Sequence, residues 1–388
     1  MDKLTALYKQ LLSLTNTDFV RYLHEKVNWN ARMIGIVGAR GVGKTTLLLQ
    51  HIKMYLDTEK TVYVNADDAY FSENRLFYFA ETFYKHGGKH LFIDEIHKYP
   101  DWSKELKMCY DYFPDMQVVF TGSSILDIYK GSDDLSRRAI SYFLAGMSFR
   151  EYINMSQKLQ ISAYSLEDIL TNKIPLPIEH PLPLYKEYLQ HGFFPFYNEP
   201  EFEQKLRNVL NQTLENDIPL YARMNVFTSR KLKQLLYIIA QSTPFKPNIN
   251  KIAEMTGVHR NQIKDYLYYM EQAGLIMQLQ NDTHGIRALG KIEKIYLNNT
   301  NLIYSLANEN TNIGNMRETF FLNQMSVNNR VVSSNKADFT IGEYTFEIGG
   351  KNKDKKQIVE LDNAFVVKDD IEYGYQNTLP LWMFGLNY

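Results

Sequence analysis

Gly38-Ala39-Arg40-Gly41-Val42-Gly43-Lys44-Thr45 has the residue types and spacing of a loop that cradles phosphate, G-x-x-x-x-G-K-T. Its glycines let the backbone curl until successive N–H groups point inward at phosphate oxygens. An apolar run, MIGIVG (33–38), enters the loop and a helical pattern, TTLLLQHIKMYL (45–56), leaves it. The helix start adds free N–H groups and a partial positive charge. Lys44 would reach the β- and γ-phosphates, the Thr45 hydroxyl would ligate Mg²⁺, and Thr46 is placed for an α-phosphate contact. The ligand this chemistry asks for is ATP with Mg²⁺. No base-specific motif excludes GTP.

Three further stretches could complete such a site. HLFIDEIHKYPDW is an apolar run closing on Asp94-Glu95. Asp94 would hold Mg²⁺ through water, and Glu95 would orient and polarise an attacking water. In QVVFTGSS, Thr121 and Ser123 are candidates to sense a γ-phosphate, with a simple turn as the alternative. DLSRRAISYF carries Arg137 and Arg138. An arginine there would stabilise transition-state charge in cis or from a neighbouring subunit. Arg138 and the assembly state are therefore one question, and ordinary surface arginines are the alternative. His97 reads as structural, since no second metal-type ligand stands at a paired spacing.

These residues need a scaffold that brings several strand ends together. MIGIVG, TVYVNAD (61–67), HLFIDE (90–95), QVVFTGSS (117–124) and ISYFLAG (140–146) read as strands separated mostly by helical stretches, which predicts an α/β fold with a parallel sheet covered on both faces. The chain of 388 residues, 45% hydrophobic and 22% charged, has material for two or three domains. A net charge of -1 neither requires nor excludes nucleic acid. The 28 Tyr and 22 Phe exceed ordinary usage; core packing accounts for most and leaves interface aromatics open. The single cysteine, Cys109, forms neither an intramolecular disulfide nor a zinc framework and reads as a buried structural thiol. No apolar run reaches membrane-spanning length and no secretory leader is evident, so the expected location is the cytoplasm.

GARGVGKTTLLLQ, LFIDEIHKYPDW, FTGSS, LSRRA and GMSFREY, in this order, resemble the AAA-type ATPases of bacteria and archaea that carry a C-terminal domain of uncharacterised function. These motifs span roughly 30–155. YLQHGFFPFY, a helix-turn-helix region and the tail with ADFTIGEYTFEIGGK resemble the same family more loosely, so the resemblance runs over nearly the whole chain. It implies an ATPase core in which the Asp-Glu strand belongs to an extra-strand P-loop sheet, a winged-helix segment, and a tail similar to restriction-endonuclease-like domains. The expected organisation is an N-terminal helical segment (1–30), the ATPase core (31–160), a helical connector with the winged helix (161–285) and an α+β endonuclease-like domain (286–388). IPLPIEHPL, with Pro175, Pro177, Pro181 and Pro183, reads as a boundary or an extended connector.

Within residues 248–279, INKIAEMT ends at Gly257, a residue suited to a left-handed helix cap, and HRNQIKDYLYYMEQAG follows. The second helix would turn Ile263, Leu267 and Met270 inward and His259, Arg260, Asn261, Gln262 and Lys264 outward. Those outward side chains could reach phosphates and base edges of DNA. Glu254, Asp265 and Glu271 dilute the positive charge, and a protein-interaction module is the alternative. In the tail, a hairpin would bring Asp338 and Glu347 together, with Glu318 as a third metal ligand. The lysine of an E-x-K strand would follow Glu347 by two residues, on the same face. Here the text is Glu347-Ile348-Gly349-Gly350-Lys351, so Lys351 could return only through a bulge. KNKDKKQ (351–357) reads as a solvated loop or helix start. Three outputs follow for the ATPase core: a DNA-associated ATPase or switch, an ATP-dependent nuclease, or a switch that binds protein. A homo-oligomer is compatible with each.

Overall fold

The structure, a computed structural model, describes residues 2–122, 135–172, 174–175, 177–222, 224, 226–241, 249–281, 292–307, 312–354, 358 and 361–388. Ser123 and the 355–357 end of the charge run lie outside the described residues. The chain forms two compact units, Met1–Gly146 and Met147–Tyr388.

The first unit runs α1 (Asp2–Leu14), α2 (Leu23–Lys26), β1 (Met33–Val37), α3 (Lys44–Tyr55), β2 (Thr61–Asn65), α4 (Tyr70–Glu73), α5 (Leu76–Lys85), β3 (His90–Asp94), α6 (Trp102–Tyr112), β4 (Gln117–Gly122) and β5 (Ile140–Phe143). The sheet order is β2-β3-β4-β1-β5, parallel throughout. Side chains alternate along each strand, so both faces are apolar and each has its own helical layer. Ile34, Ile36, Tyr63, Phe92 and Val119 pack with Leu47, Leu48 and Ile52 of α3 and with Tyr8 of α1. Met33, Val37, Val62, Leu91 and Val118 pack with α5 and α6 through Leu76, Phe79, Leu106 and Cys109. Cys109 is buried, and burial pushes its thiol up to about 12. β4 lies between β1 and β3, the extra-strand arrangement expected for the sheet.

The opening segment is helical over Asp2–Leu14 and Leu23–Lys26, with a break between them. Asn16 Oδ1 accepts from the Asp18 N–H at 2.6 Å, an Asx turn that competes with the helix ladder.

The second unit runs α7 (Phe149–Gln157), α8 (Leu166–Leu170), α9 (Pro181–Glu187), α10 (Phe202–Gln212), α11 (Ile218–Ala222), α12 (Val226–Gln241), α13 (Ile249–Thr256), α14 (Arg260–Gln272), β6 (Ile276–Gln280), β7 (Ile292–Leu297), α15 (Thr300–Ala307), α16 (Ile313–Met325) and β8–β12. The last five strands are Val331–Ser333, Phe339–Ile341, Tyr344–Gly349, Ala364–Lys368 and Thr378–Pro380. They form a sheet in the order β12-β11-β10-β9-β8, antiparallel from β8 to β10 and parallel from β10 to β12. Phe321 of α16 packs on Phe339 and Phe346 at ring separations of 5.2 and 5.1 Å.

The three internal boundaries, at 30, 160 and 285, all differ from the structure: residues 1–30 belong to the first unit, where Tyr8 and Leu12 of α1 join the core on the α3 face. The stretch from Met147 belongs to the second unit, because Phe149 packs on Tyr185 and Tyr188 there and Arg150 Nε donates to the Tyr388 carbonyl at 2.7 Å. A cut at 285 would separate β6 from its antiparallel partner β7. The proline stretch is not a domain boundary either: Pro181 opens α9, where its missing N–H costs nothing. Leu381–Leu386 is a buried 3₁₀ helix.

Candidate functional site

The phosphate loop folds as its residue types require. Gly41 and Gly43 take φ of 85° and 94°, the left-handed region glycine favours. At Gly38 a Cβ would lie 2.4 Å from the Leu144 carbonyl oxygen, so no side chain fits there. Lys44 is buried, and its Nζ donates to the carbonyls of Gly38 and Ala39 at 3.0 and 2.9 Å, curled back over the loop. Thr45 is half-buried and Thr46 exposed on the first turn of α3. Arg21 supports the loop from behind. Its guanidinium donates to the Val42 carbonyl and, at 2.8 Å, to that of Ala145.

Asp94 closes β3 on the α3 face, two residues beyond the core residue Phe92. It is 2% exposed and accepts four bonds. Oδ2 takes the Thr45 hydroxyl at 2.5 Å and the Tyr63 hydroxyl at 2.7 Å. Oδ1 takes the Thr121 hydroxyl and the Glu95 N–H, the latter at 3.1 Å. Thr45 and Asp94 are hard oxygen donors in contact, the donor chemistry that suits Mg²⁺. Glu95 sits at φ 51°, an uncommon conformation for this residue type, with its carboxylate 4.0 Å from the Arg40 guanidinium and 3.6 Å from His97 Nε2.

Two sequence expectations change. Thr121 is fully buried and its hydroxyl bridges Asp94 and the Glu95 N–H, so it holds the acids instead of sensing a phosphate. Arg138 precedes β5, which runs parallel to β1, and so stands at the amino ends of the strands; the loop is at their carboxyl ends. Its guanidinium binds Asp111 at 2.9 and 3.1 Å and lies over the Tyr110 ring. A role in cis is excluded by that position. Arg137 is exposed.

On the α3 face, His51 Nδ1 lies 3.1 Å from His24 Nε2, and Trp29 stacks on His51 at 3.7 Å. Burial, then the charges of His24 and His90, push the His51 pKa down to about 3.

In the second unit, α13 and α14 meet at Gly257 (φ 61°) and the β6–β7 pair follows. Ile263, Leu267 and Met270 are buried; His259, Arg260, Asn261, Gln262 and Lys264 are exposed. His259 also caps α14 by accepting from the Asn261 N–H at 3.4 Å. Lys231 Nζ donates to the Gly257 carbonyl at 3.0 Å, tying α12 to the turn.

The tail carboxylates do converge, with lysines among them. Lys294 Nζ lies 3.0 Å from Glu318 and 3.5 Å from Asp338. The Tyr296 hydroxyl donates to Glu318 at 2.6 Å, and Asp338 accepts from the Ile348 N–H at 2.9 Å. Glu347 pairs with Lys353, a correction to Lys351, which is exposed. The chain turns at Gly350, whose carbonyl accepts from the Lys353 N–H at 2.9 Å. The Lys353 stem then crosses Gly349, where a Cβ would lie 2.6 Å from Lys353 Cβ. Burial, then the negative charge of Asp338, raise the Glu347 pKa against the opposing pull of Lys353. Among the described residues no group of three His, Cys, Asp or Glu side chains is arranged to hold a metal ion. The ligand set of Glu318, Asp338 and Glu347 is therefore corrected to a lysine-compensated cluster.

Sequence reading missed Arg21, Tyr63, Lys294 and Lys353. Tyr63 had a signal, as an inward-facing polar tip at a strand's carboxyl half. Lys353 was hidden in a charge run, and Arg21 and Lys294 carried no local signal.

Residues 30–153 match the family described as AAA domain, and residues 182–313 match a domain of unknown function, DUF8612. Uncharacterized protein MJ1637 of Methanocaldococcus jannaschii is 25% identical over 299 residues, which cover 69% of this chain and 63% of that relative. The chain thus spans less than two thirds of the length of the curated relative it matches. Among solved structures, the Walker-type ATPase PABY2304 of Pyrococcus abyssi aligns at 11% identity over 74% of this chain and 96% of its own, with a TM-score of 0.45. AMPPCP-bound DnaA from Aquifex aeolicus aligns at 14% identity over 70% and 88%, with a TM-score of 0.27. Among the described residues no helix is long and apolar enough to cross a membrane. Residues 30–153 thus match an AAA domain, and the sheet they contain is the α/β core of a P-loop NTPase-like fold.

Proposed function

We propose that the chain is an Mg²⁺-dependent ATPase whose turnover drives a DNA-associated switch. The observation that carries the catalytic half is the 2.5 Å contact between Thr45 Oγ1 and Asp94 Oδ2, which joins the phosphate loop to the acid-bearing strand. Lys44 and the N–H groups of residues 39–46 bind the phosphates, with Arg40 at the mouth of the loop. Thr45 and Asp94 hold Mg²⁺, which when bound neutralises phosphate charge. Glu95 orients the attacking water and takes its proton. Arg138, directed away from its own loop, would act on a phosphate in trans within a homo-oligomer; an ordinary surface arginine paired with Asp111 is the alternative.

The DNA half rests on the exposed row His259, Arg260, Asn261, Gln262 and Lys264 at the start of a helix that follows a Gly257 turn and precedes a β-hairpin, a winged-helix arrangement. The test is ATP turnover with and without duplex DNA at two salt concentrations, with Glu95→Gln as the inactive control. The expected result is turnover that rises with DNA and loses the rise at high salt. Turnover indifferent to DNA would remove the DNA half and leave a protein-binding switch; no turnover in the wild type would remove the ATPase.

A further inference from the structure

Asp94 is the residue on which the proposed Mg²⁺ site turns, and each of its oxygens has two donors. Oδ1 is held by the Thr121 hydroxyl and the Glu95 N–H; Oδ2 is held by the Thr45 and Tyr63 hydroxyls. These donors are not equivalent once a cation binds. The Thr45 hydroxyl would turn its lone pair to a bound cation, which would leave Tyr63 as the fixed donor on Oδ2. Asp94 is 2% exposed, so an unheld oxygen there has little water to replace the lost bond.

We propose that Tyr63 is a positioning residue of the cation site, pinning Asp94 Oδ2 in the orientation that Thr45 and a bound Mg²⁺ share. This rests on the ATPase reading above. The ring is itself held in place: Tyr63 is 5% exposed on the α3 face of edge strand β2, and Tyr8 of α1 stacks on it with centroids 6.4 Å apart. The Tyr63 hydroxyl is a phenol, a neutral donor at physiological pH, and it donates to Asp94 Oδ2 at 2.7 Å. A neutral donor fixes the carboxylate without cancelling its charge, as a lysine would. Groups that orient a metal ligand in this way typically contribute about 10–100-fold to metal affinity.

The test is Tyr63→Phe, which removes one oxygen and keeps the ring, with Tyr8→Phe as control. Tyr8 neighbours Tyr63, and its hydroxyl has no hydrogen-bond partner among the described residues. Calorimetry would measure ADP binding in EDTA and across an Mg²⁺ titration, alongside turnover. For Y63F we expect unchanged ADP affinity in EDTA and an Mg²⁺ midpoint raised about 10-fold or more. Y8F should leave the midpoint where it is. An unchanged midpoint in Y63F overturns the proposal, as does an equal shift in Y8F, which would assign the effect to packing. Failure of Y63F to fold also overturns it, since the bond would then serve stability. Wild-type chain that binds ADP but does not hydrolyse ATP removes the ATPase reading while the Mg²⁺ midpoints still decide Tyr63. Wild-type chain that binds no nucleotide removes both.

Discussion

Asp94 in the first unit and the Glu318–Asp338–Glu347 group in the second are both carboxylates largely withdrawn from water beside an inner strand of a sheet, yet they are compensated in opposite ways. Asp94 is surrounded by three hydroxyls and one backbone N–H. The tail acids are met by the ammonium groups of Lys294 and Lys353. Neutral donors satisfy lone pairs and leave the negative charge in place, free to attract a cation. Lysines spend that charge internally. The same residue types therefore make a candidate metal site in one unit and a set of internal ion pairs in the other.

The strongest test of this contrast is functional. Glu95→Gln should lower ATP turnover by about 100-fold or more while retaining ATP binding, because it removes proton acceptance alone. Steady-state turnover beside equilibrium ATP binding checks it, and near-wild-type turnover would break the assignment on the first side of the comparison. Removing a tail lysine attacks the other side. Lys294→Ala leaves Glu318 and Asp338 without their shared cation and should cost about 3 kcal/mol of stability, read by chemical denaturation. Mg²⁺ should then raise the melting temperature of Lys294→Ala more than that of the wild type; equal shifts would mean the lysine is not what keeps cations out.

pH separates the two regions more gently. The His51 pKa is depressed to about 3 in the fold, so its contribution is present above the ordinary value near 6.5 and is lost as pH falls toward 3. Between pH 7 and 5 this should destabilise the first unit by up to about 2 kcal/mol. Glu347 runs the other way: its pKa is raised, so its contribution is full below the ordinary carboxylate range and is lost as pH rises. Calorimetry of wild type and His51→Phe from pH 7 to 5 should show a flatter profile for the variant. The smallest effect is expected at Arg138. Since it points away from its own loop, Arg138→Ala should leave the turnover of dilute protein unchanged and lower it only where turnover rises with protein concentration.

Much of the first unit could be read from its sequence because its signals are local. Each strand of the parallel sheet is a short apolar run, and buried parallel strands need no alternation with polar residues. The loop's glycines, Lys44 and Thr45 are close in sequence, so their places in the loop follow from spacing. Asp94 and Glu95 close an apolar run, which is where a strand ends. The helix pair around Gly257 was legible for the same reason, through a turn glycine and the inward period of Ile263, Leu267 and Met270.

What the tertiary structure alone decided are pairings between residues far apart in the chain. Tyr63 reaches Asp94 because β2 lies beside β3 in register. Thr121 reaches it because β4 is inserted between β1 and β3. Lys294 enters the tail cluster from β7, and Lys353 returns to Glu347 through a turn that Gly349 leaves open. Spacing along a chain determines which side chains share a helix or strand face. Which charge meets which donor is settled when strands find their neighbours, and that turns on the packing of whole elements.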